Sequence, residues 1–421
     1  MTPVPLAAWL EKLERRSPEA RVDLGLGRVQ RVRQRLKPAL GSVPVITVAG
    51  TNGKGSTVAY LEAIFRAAGY RVMAYTSPHL LRFAERIRID ANPAANPEIV
   101  WALEAVEAAR ENEALTYFEH VTLAALALAA RSAIEVLILE VGLGGRLDAV
   151  NVVDPDVAIV TSIGLDHTEW LGRTRRAIGR EKAGIARPGR PLIVGERRLP
   201  RGFLVDLQAT DADLQIIGKD FRTRRRDRGF RLYQGRLNID LPLPTLAGDC
   251  QLDNAACAVL AARALGDRCP VATEALAAGL SSASVPGRQE VIQDRPLVIV
   301  DVAHNTAAAR QLAKTLGPSS GASFAVFAAL ADKNAGAMAR ILDDCFDVWL
   351  AASLDGPRGV PAERLAAELA AVPVTGSVEA LESAATAVGN ALRRCGPNGR
   401  VVVFGSFRTV AEAWPELEKL G

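Results

Sequence analysis

Seven consecutive residues, Gly50-Thr51-Asn52-Gly53-Lys54-Gly55-Ser56, have the composition of a loop that holds phosphate. Glycines let successive backbone N–H groups turn toward one point, and the lysine adds a point charge. Residues 43–48 (VPVITV) read as a buried strand, and residues 57–68 as a helix closed by Gly69. That helix would add the positive end of its dipole. Strand, loop and helix in this order form the context in which a nucleotide phosphate loop works. The loop departs from the strict pattern GxxxxGK followed by Ser or Thr. Val48 stands at the first glycine position, and Gly55 separates Lys54 from Ser56 and Thr57.

A second constellation is Glu140-Val141-Gly142-Leu143-Gly144-Gly145-Arg146-Leu147-Asp148. Its carboxylate ends an apolar run, and its glycines let backbone approach a ligand. Beside a phosphate loop, Glu140 suits a Mg²⁺ ion or the polarisation of water. Gly164-Leu165-Asp166-His167 ends the next apolar run and could complete a metal site, although imidazole suits Mn²⁺ better than Mg²⁺. The four histidines, His79, His120, His167 and His304, all stand near the ends of apolar runs. Together they suggest one cleft at the carboxyl ends of parallel strands. Lys182, within Arg180-Glu181-Lys182, falls on a helix near that cleft, where pattern alone makes it a surface lysine.

The elements that must position these residues alternate. Strand-like runs at 71–75, 136–141, 157–161 and 192–194 are separated by helical stretches at 98–112, 121–131 and 177–185. Continuous apolar strands of this kind suit a parallel sheet covered on both faces. Between 215 and 244 the period shortens to that of an antiparallel hairpin insertion, and 253–265 is an alanine-rich helix. A small-residue, turn-rich stretch at 281–288 marks a boundary, after which strands at 297–302, 324–328, 348–351 and 401–404 restart the alternation. The expected fold is α/β. An N-terminal domain over 1–286 holds a mostly parallel sheet, and a smaller α/β domain spans 287–421.

Composition narrows the class. The chain has 421 residues, 49% hydrophobic and 23% charged, which suits a globular protein of two or three domains. A net charge of +4 permits an anionic substrate without demanding nucleic acid. The one strongly basic stretch, residues 222–231, reads as a solvated hairpin tip. Five cysteines without a CxxC spacing argue against zinc and disulfides, and fit a reducing cytoplasm. The amino-terminal stretch lacks the pattern of a signal peptide, and Arg131 and Glu135 interrupt the most apolar region. No membrane association is expected.

The ordered set GTNGKGS, SPHL, LTYFE, LEVGLGGRLDA, LDH, GREKAGI, PGR, DVAHN and GSF resembles the folylpolyglutamate synthase family of the Mur ligase superfamily. Its matches extend from Asp23 to about Phe407. The resemblance implies a P-loop ATPase domain of Mur-ligase type and a carboxyl-terminal glutamate ligase domain. It implies that L-glutamate is joined to dihydropteroate and to reduced folates through an acyl phosphate made with ATP. A folylpolyglutamate synthase without the dihydropteroate activity is the alternative. A cell-wall Mur ligase and a P-loop nucleic-acid binder are poorer fits.

Residue by residue, the resemblance assigns Asn52, Gly53, Lys54, Gly55, Ser56, Asn254, Arg288 and Asp301 to the nucleotide. Ser77, Glu140 and His167 become ligands of Mg²⁺, which overrides the hesitation about imidazole. Lys182 matches a lysine carbamylated in the family, able to hold a second Mg²⁺. Lys54, Glu140, His167 and Lys182 are then the catalytic set. Thr116, Tyr117, Phe118, Glu119, Leu147, Asp148 and Ala149 match the segments that hold dihydropteroate, with Asp23-Leu24-Gly25-Leu26 as an addition. His304 and Ser406 resemble residues near the glutamate. A cytoplasmic monomer without nucleic acid is expected.

Overall fold

The computed structural model describes residues 5–420. Residues 1–4, the start of the stretch read as lacking a signal peptide, lie outside the described residues. The chain forms two compact units. One runs through Thr245 and resumes over Gln251–Ser284; the other takes Leu246–Cys250 and the chain from Val285 onward.

The first unit is built on eight strands. These are β1 (Val45–Ala49), β2 (Val72–Tyr75), β3 (Ile87–Ile89), β4 (Asn92–Pro93), β5 (Val136–Glu140), β6 (Val157–Val160), β7 (Pro191–Val194) and β8 (Asp213–Ile216). Their order is β4-β3-β2-β5-β1-β6-β7-β8. The sheet is parallel from β2 to β8, and β3 and β4 add an antiparallel edge. All five residues of β1 and of β5 are buried, as expected of strands covered on both faces. The chain leaves β1 for β2 on one side, then crosses over to β6 on the other. The carboxyl end of β1 is therefore a topological switch point, the usual place for a ligand.

Ten helices accompany this sheet: α1 (Leu6–Arg16), α2 (Gly27–Leu36), α3 (Lys54–Ala67), α4 (Asn96–Arg110), α5 (Tyr117–Arg131), α6 (Thr168–Leu171), α7 (Arg175–Ala183), α8 (Phe203–Gln208), α9 (Cys250–Ala264) and α10 (Thr273–Ser282). Helix α5 is buried on nearly every side from Tyr117 to Ala129, which explains its apolar sequence. No helix among the described residues is long and apolar enough to cross a membrane. Three further strands, β9 (Phe221–Arg226), β10 (Gly229–Gln234) and β11 (Leu237–Leu241), form a separate antiparallel sheet. The insertion thus begins later than its sequence suggests, because residues 213–216 extend the large sheet as β8.

The second unit has six strands: β12 (Glu290–Asp294), β13 (Leu297–Asp301), β14 (Ser323–Phe327), β15 (Val348–Ala352), β16 (Ser377–Leu381) and β17 (Arg400–Phe404). Their order is β12-β13-β17-β14-β15-β16, parallel except for β12. Helices α11 (Thr306–Leu316), α12 (Ala335–Leu342), α13 (Ala362–Ala370), α14 (Ala384–Arg394) and α15 (Phe407–Leu417) accompany them. Phe327, Phe346, Trp349 and Phe404 form an aromatic core, with Phe327 and Phe404 centroids 4.9 Å apart.

Candidate active site

The phosphate loop is braced by its neighbours on both sides. Gly53 has φ +87°, a conformation that L side chains rarely adopt, and it caps α3, so the helix begins at Lys54 rather than Thr57. A Cβ at Gly53 would stand 2.6 Å from Asn254 Oδ1. The loop after β6 braces the other side. Thr51 N donates to Ser162 O (2.8 Å), Asn52 N donates to Ser162 Oγ (3.0 Å), and Thr161 Oγ1 donates to Asn52 O (2.7 Å). Lys54 Nζ folds back toward Gly50 O and Thr51 O, at 3.3 and 3.5 Å. Gln251 links the loop to α9: it donates to Ser56 Oγ and accepts from Asn254 Nδ2.

Glu140 ends β5 beside β1, with Val48 as its partner in the register. Its side chain is buried, and Oε2 lies 3.8 Å from where a Cβ on Gly55 would be. The carboxylate therefore sits next to the first turn of α3. The glycine loop that follows packs against the end of α7. A Cβ on Gly145 would meet the carbonyls of Glu181 and Lys182 at 2.8 and 3.0 Å, and Arg146 N donates to Glu181 O. This docking draws in Lys182, which is only 4% exposed. The pattern-based reading of Lys182 as a surface lysine is overturned by that burial. Desolvation, and then the charge of Lys54, push its ammonium down to about 7. Asp166 and Asp148 act in the opposite direction.

Asp148 shapes this loop from within. Its carboxylate accepts from Leu143 N (2.8 Å) and Val150 N (3.0 Å), and the side chain is almost fully buried. Burial pushes its acid up to about 6 despite these amide donors. Asp148→Ala would leave the donors unpaired. It should lower unfolding stability by about 2 kcal/mol, readable as a shift in urea midpoint at unchanged slope. A midpoint equal to the parent's would contradict this role.

The segments matched to dihydropteroate are joined by the packing of Phe118 on Gly142, in the loop that leads to Leu147. Thr116 and Glu119 form a reciprocal cap at the start of α5: Thr116 N donates to Glu119 Oε2 (2.8 Å), and Glu119 N to Thr116 Oγ1 (3.3 Å). Arg28 Nε also donates to both oxygens of Glu119, and Arg28 pairs with Asp23 at 2.9 Å. Glu119 is thus already bound by protein donors. Tyr117 is buried, 5.8 Å from the Arg86 guanidinium, whereas Phe118 is only half-buried. The Phe118 ring lies 6.2 Å from that of Tyr75 and fills the space that a Cβ on Gly142 would need. Of the two aromatics, Phe118 is the more exposed. Leu147 is half-buried and Ala149 is buried in the turn after Asp148.

His120 is not available to a shared cleft. His120 is buried in the core, where its ring bonds Leu103 O (3.1 Å) and Arg16 Nη2 (2.9 Å). Burial pushes its pKa down to about 4. His79 follows β2 and accepts from Arg86 Nε at 2.8 Å; burial and then that guanidinium lower its pKa. His167 follows β6 at φ +48° and is exposed at the start of α6. Ser77 is half-buried after β2. Among the described residues no three His, Cys, Asp or Glu side chains cluster as a metal site. A cation near Glu140 would therefore need other donors, such as a hydroxyl or phosphate oxygens.

The remaining residues belong to the second unit. Asp301 ends β13, buried, and accepts from Gln289 N (3.1 Å) and Ala303 N (2.6 Å). Burial raises its pKa, opposed by Arg288. Arg288 lies 5.9 Å from the Phe407 ring. His304 Nδ1 is 2.9 Å from Val302 O. Ser406 is the N-cap of α15 and accepts from Thr409 N, so its buried hydroxyl has a structural duty.

Arg28, Gln251, Thr161 and Ser162 had escaped sequence reasoning. Each acts through a partner about a hundred or more residues away, except Arg28, whose partner lies 91 residues on. Polar residues at such separations carry no local signature.

Residues 48–191 match the Mur ligase middle domain, and residues 287–407 the Mur ligase glutamate ligase domain. The dihydrofolate synthase/folylpolyglutamate synthase of Escherichia coli strain K12 is 43% identical over 97% of this chain and 94% of its own length. That of Haemophilus influenzae is 36% identical over 98% of both. Among solved structures, E. coli FolC in complex with DHPP and ADP superposes with a TM-score of 0.92 at 41% identity, covering 99% of this chain and 98% of that one. A bifunctional folylpolyglutamate synthase/dihydrofolate synthase with Mn, AMPPNP and L-glutamate bound gives 0.90 at 41%, with the same coverage.

Proposed function

The chain belongs to the dihydrofolate synthase/folylpolyglutamate synthase family of Mur ligases, and from that premise we propose how its residues divide the work. It is an ATP-dependent ligase that adds L-glutamate to dihydropteroate, giving dihydrofolate, and to reduced folates, giving folylpolyglutamates. A carboxylate oxygen of the acid attacks the γ-phosphorus of ATP, and ADP leaves. The glutamate amine then attacks the acyl carbon, and phosphate leaves as the nitrogen loses a proton.

The observation that supports this division best is the burial of Lys182 and Asp148, both within reach of the charge of Lys54. Lys54 meets the β- and γ-phosphates, and the backbone of Asn52, Gly53, Gly55 and Ser56 cradles them. Asn254, Arg288 and Asp301 serve the nucleotide, and His304 and Ser406 the glutamate. Phe118 offers the pterin an aromatic face. Thr116, Tyr117, Glu119, Leu147, Asp148 and Ala149 shape that seat.

ATP and a divalent cation are the cofactors. Ser77, Glu140 and His167 would hold Mg²⁺, and a carbamylated Lys182 a second ion. A buried carboxylate beside the phosphate loop suits a hard cation, and a carbamate would add oxygen donors. The metal supplies charge that screens the repulsion between phosphate and carboxylate. Lys182 supports this reading because a buried lysine beside another cation is readily neutral, and only a neutral amine adds to CO₂. We also take the chain to act as a cytoplasmic monomer without nucleic acid.

Substrate competition tests the reading. With ATP and glutamate fixed, dihydropteroate and tetrahydrofolate should each support ADP release, and each should inhibit use of the other. Turnover with tetrahydrofolate alone would leave only a folylpolyglutamate synthase. Turnover with neither would remove the assignment.

A further inference from the structure

The ligase reaction leaves one strongly charged surface unused. Along β9, Arg222, Arg224 and Arg226 fall on one face by strand alternation. Across from them on the same face stand Arg231 and Tyr233 of β10, then Asn238 and Asp240 of β11. The opposite face carries Phe230, Leu232, Ile239 and Leu241, all buried. Arg224 is directly opposite Arg231, and like charges on one rung destabilise a sheet. Asp240 neutralises Arg231 through both of its oxygens. Arg222 lies 4.8 Å from the Tyr233 ring centroid, and Arg226 donates to the Tyr233 hydroxyl. No carboxylate among the described residues pairs with Arg222, Arg224 or Arg226. At the foot of the row, a cavity of about 420 Å³ is lined by Lys219, Arg222, Tyr233 and Asn238. Its carboxylate, Asp220, already accepts the Ile216 amide.

The spacing selects a ligand class. Alternate residues of a strand advance roughly 6.5–7 Å. A γ-linked glutamate chain has two methylenes more per residue than an α-linked one, so its extended repeat is roughly 6 Å. Each residue carries one α-carboxylate, and the methylenes rotate freely enough to turn several toward one side. We propose that the arginine row and its cavity bind the oligo-γ-glutamyl chain of an elongated folate, as a subsite apart from the residues that do the chemistry. This rests on the ligase reading above. The row is anchored beside the nucleotide loop. Thr223, on the opposite face of β9, bonds Asp253 (3.2 Å) and Arg197 (2.9 Å), and Asp253 precedes the Asn254 that abuts Gly53.

The test is the triple variant R222S/R224S/R226S in the full chain. It should raise KM for tetrahydrofolyl-tetra-γ-glutamate about tenfold, the size that three exposed ion pairs supply. Its kcat and KM for dihydropteroate, which has no glutamate, should stay within about twofold of the parent. Calorimetry at low salt should show penta-γ-glutamate bound by the parent and released by added salt, with the variant silent. An unchanged KM for the tetraglutamate, or an equal rise for both acids, overturns the proposal. So does tighter binding of a single-stranded oligonucleotide of equal charge, which would make the row a nucleic-acid surface. If the parent turned over neither acid, the ligase reading would fall, and the peptide-binding arm would still judge the arginine row.

Discussion

Lys54→Ala is expected to cut ADP formation by about 10³-fold while leaving the fold standing. On the proposed reading, the lysine is the cation that the loop itself would contribute, and the charge it would meet grows as the γ-phosphoryl group leaves ADP. Its present partners are the carbonyls of Gly50 and Thr51, at 3.3 and 3.5 Å, so its loss costs the loop only two long hydrogen bonds. The loop keeps its bracing from Thr161 and Ser162. Steady-state ADP release alongside a thermal melt separates the two effects. A variant that retains a tenth of the activity would remove Lys54 from the chemistry, and one that melts far below the parent would make it structural. A second consequence follows from charge. Lys54 is, after burial, the main reason that the Lys182 ammonium is disfavoured. Removing it should make Lys182 more basic and slow its addition to CO₂.

The second large effect is Lys182→Ala, for which activity should fall about 10²-fold or more, as for loss of one charged group that organises a reacting centre. If the working form is a carbamate, the cavity left by alanine should admit acetate or formate and regain part of the rate. Lys182→Met fills that space and should not be rescued. Full activity with an unmodified lysine, read by intact mass under bicarbonate, would end the carbamate idea.

Stability should move the other way. The Lys182 pKa is depressed to about 7 in the folded chain from an ordinary 10.5. Between those values the unfolded chain binds more protons, so stability rises with pH. The cost of burial is therefore largest below pH 7 and fades as pH approaches 10.5. In CO₂-free buffer, Lys182→Met should raise the melting temperature, and more at pH 6 than at pH 9.5. A gain independent of pH would mean that packing, not charge, is responsible.

The elements most legible in the sequence were those whose signal is local. Strand β5 announces itself because both its faces are covered, so every residue is apolar up to the closing Glu140. Edge strands were less visible. Ser377–Leu381 (SVEAL) is β16 at the end of its sheet, half exposed and rich in helix formers, and only pairing with β15 makes it a strand. Strands β3 and β4 are too short to show a period.

The sequence by itself determined the phosphate loop, the glycine run after Glu140 and the family to which their order points. These depend on backbone freedom and on neighbours within a few residues, which composition records directly. Tertiary structure alone decided which groups are buried and whom they meet. It sent His120 into the core and left His167 exposed at the start of α6. It gave Glu119 to Arg28, Ser406 to a helix cap and Asp148 to the amides of its own loop. It also turned Lys182 from a surface lysine into a buried amine disfavoured as a cation by desolvation and by the charge of Lys54. A side chain's charge state and duty follow from desolvation and from partners brought in across long loops, and neither quantity is written in local spacing.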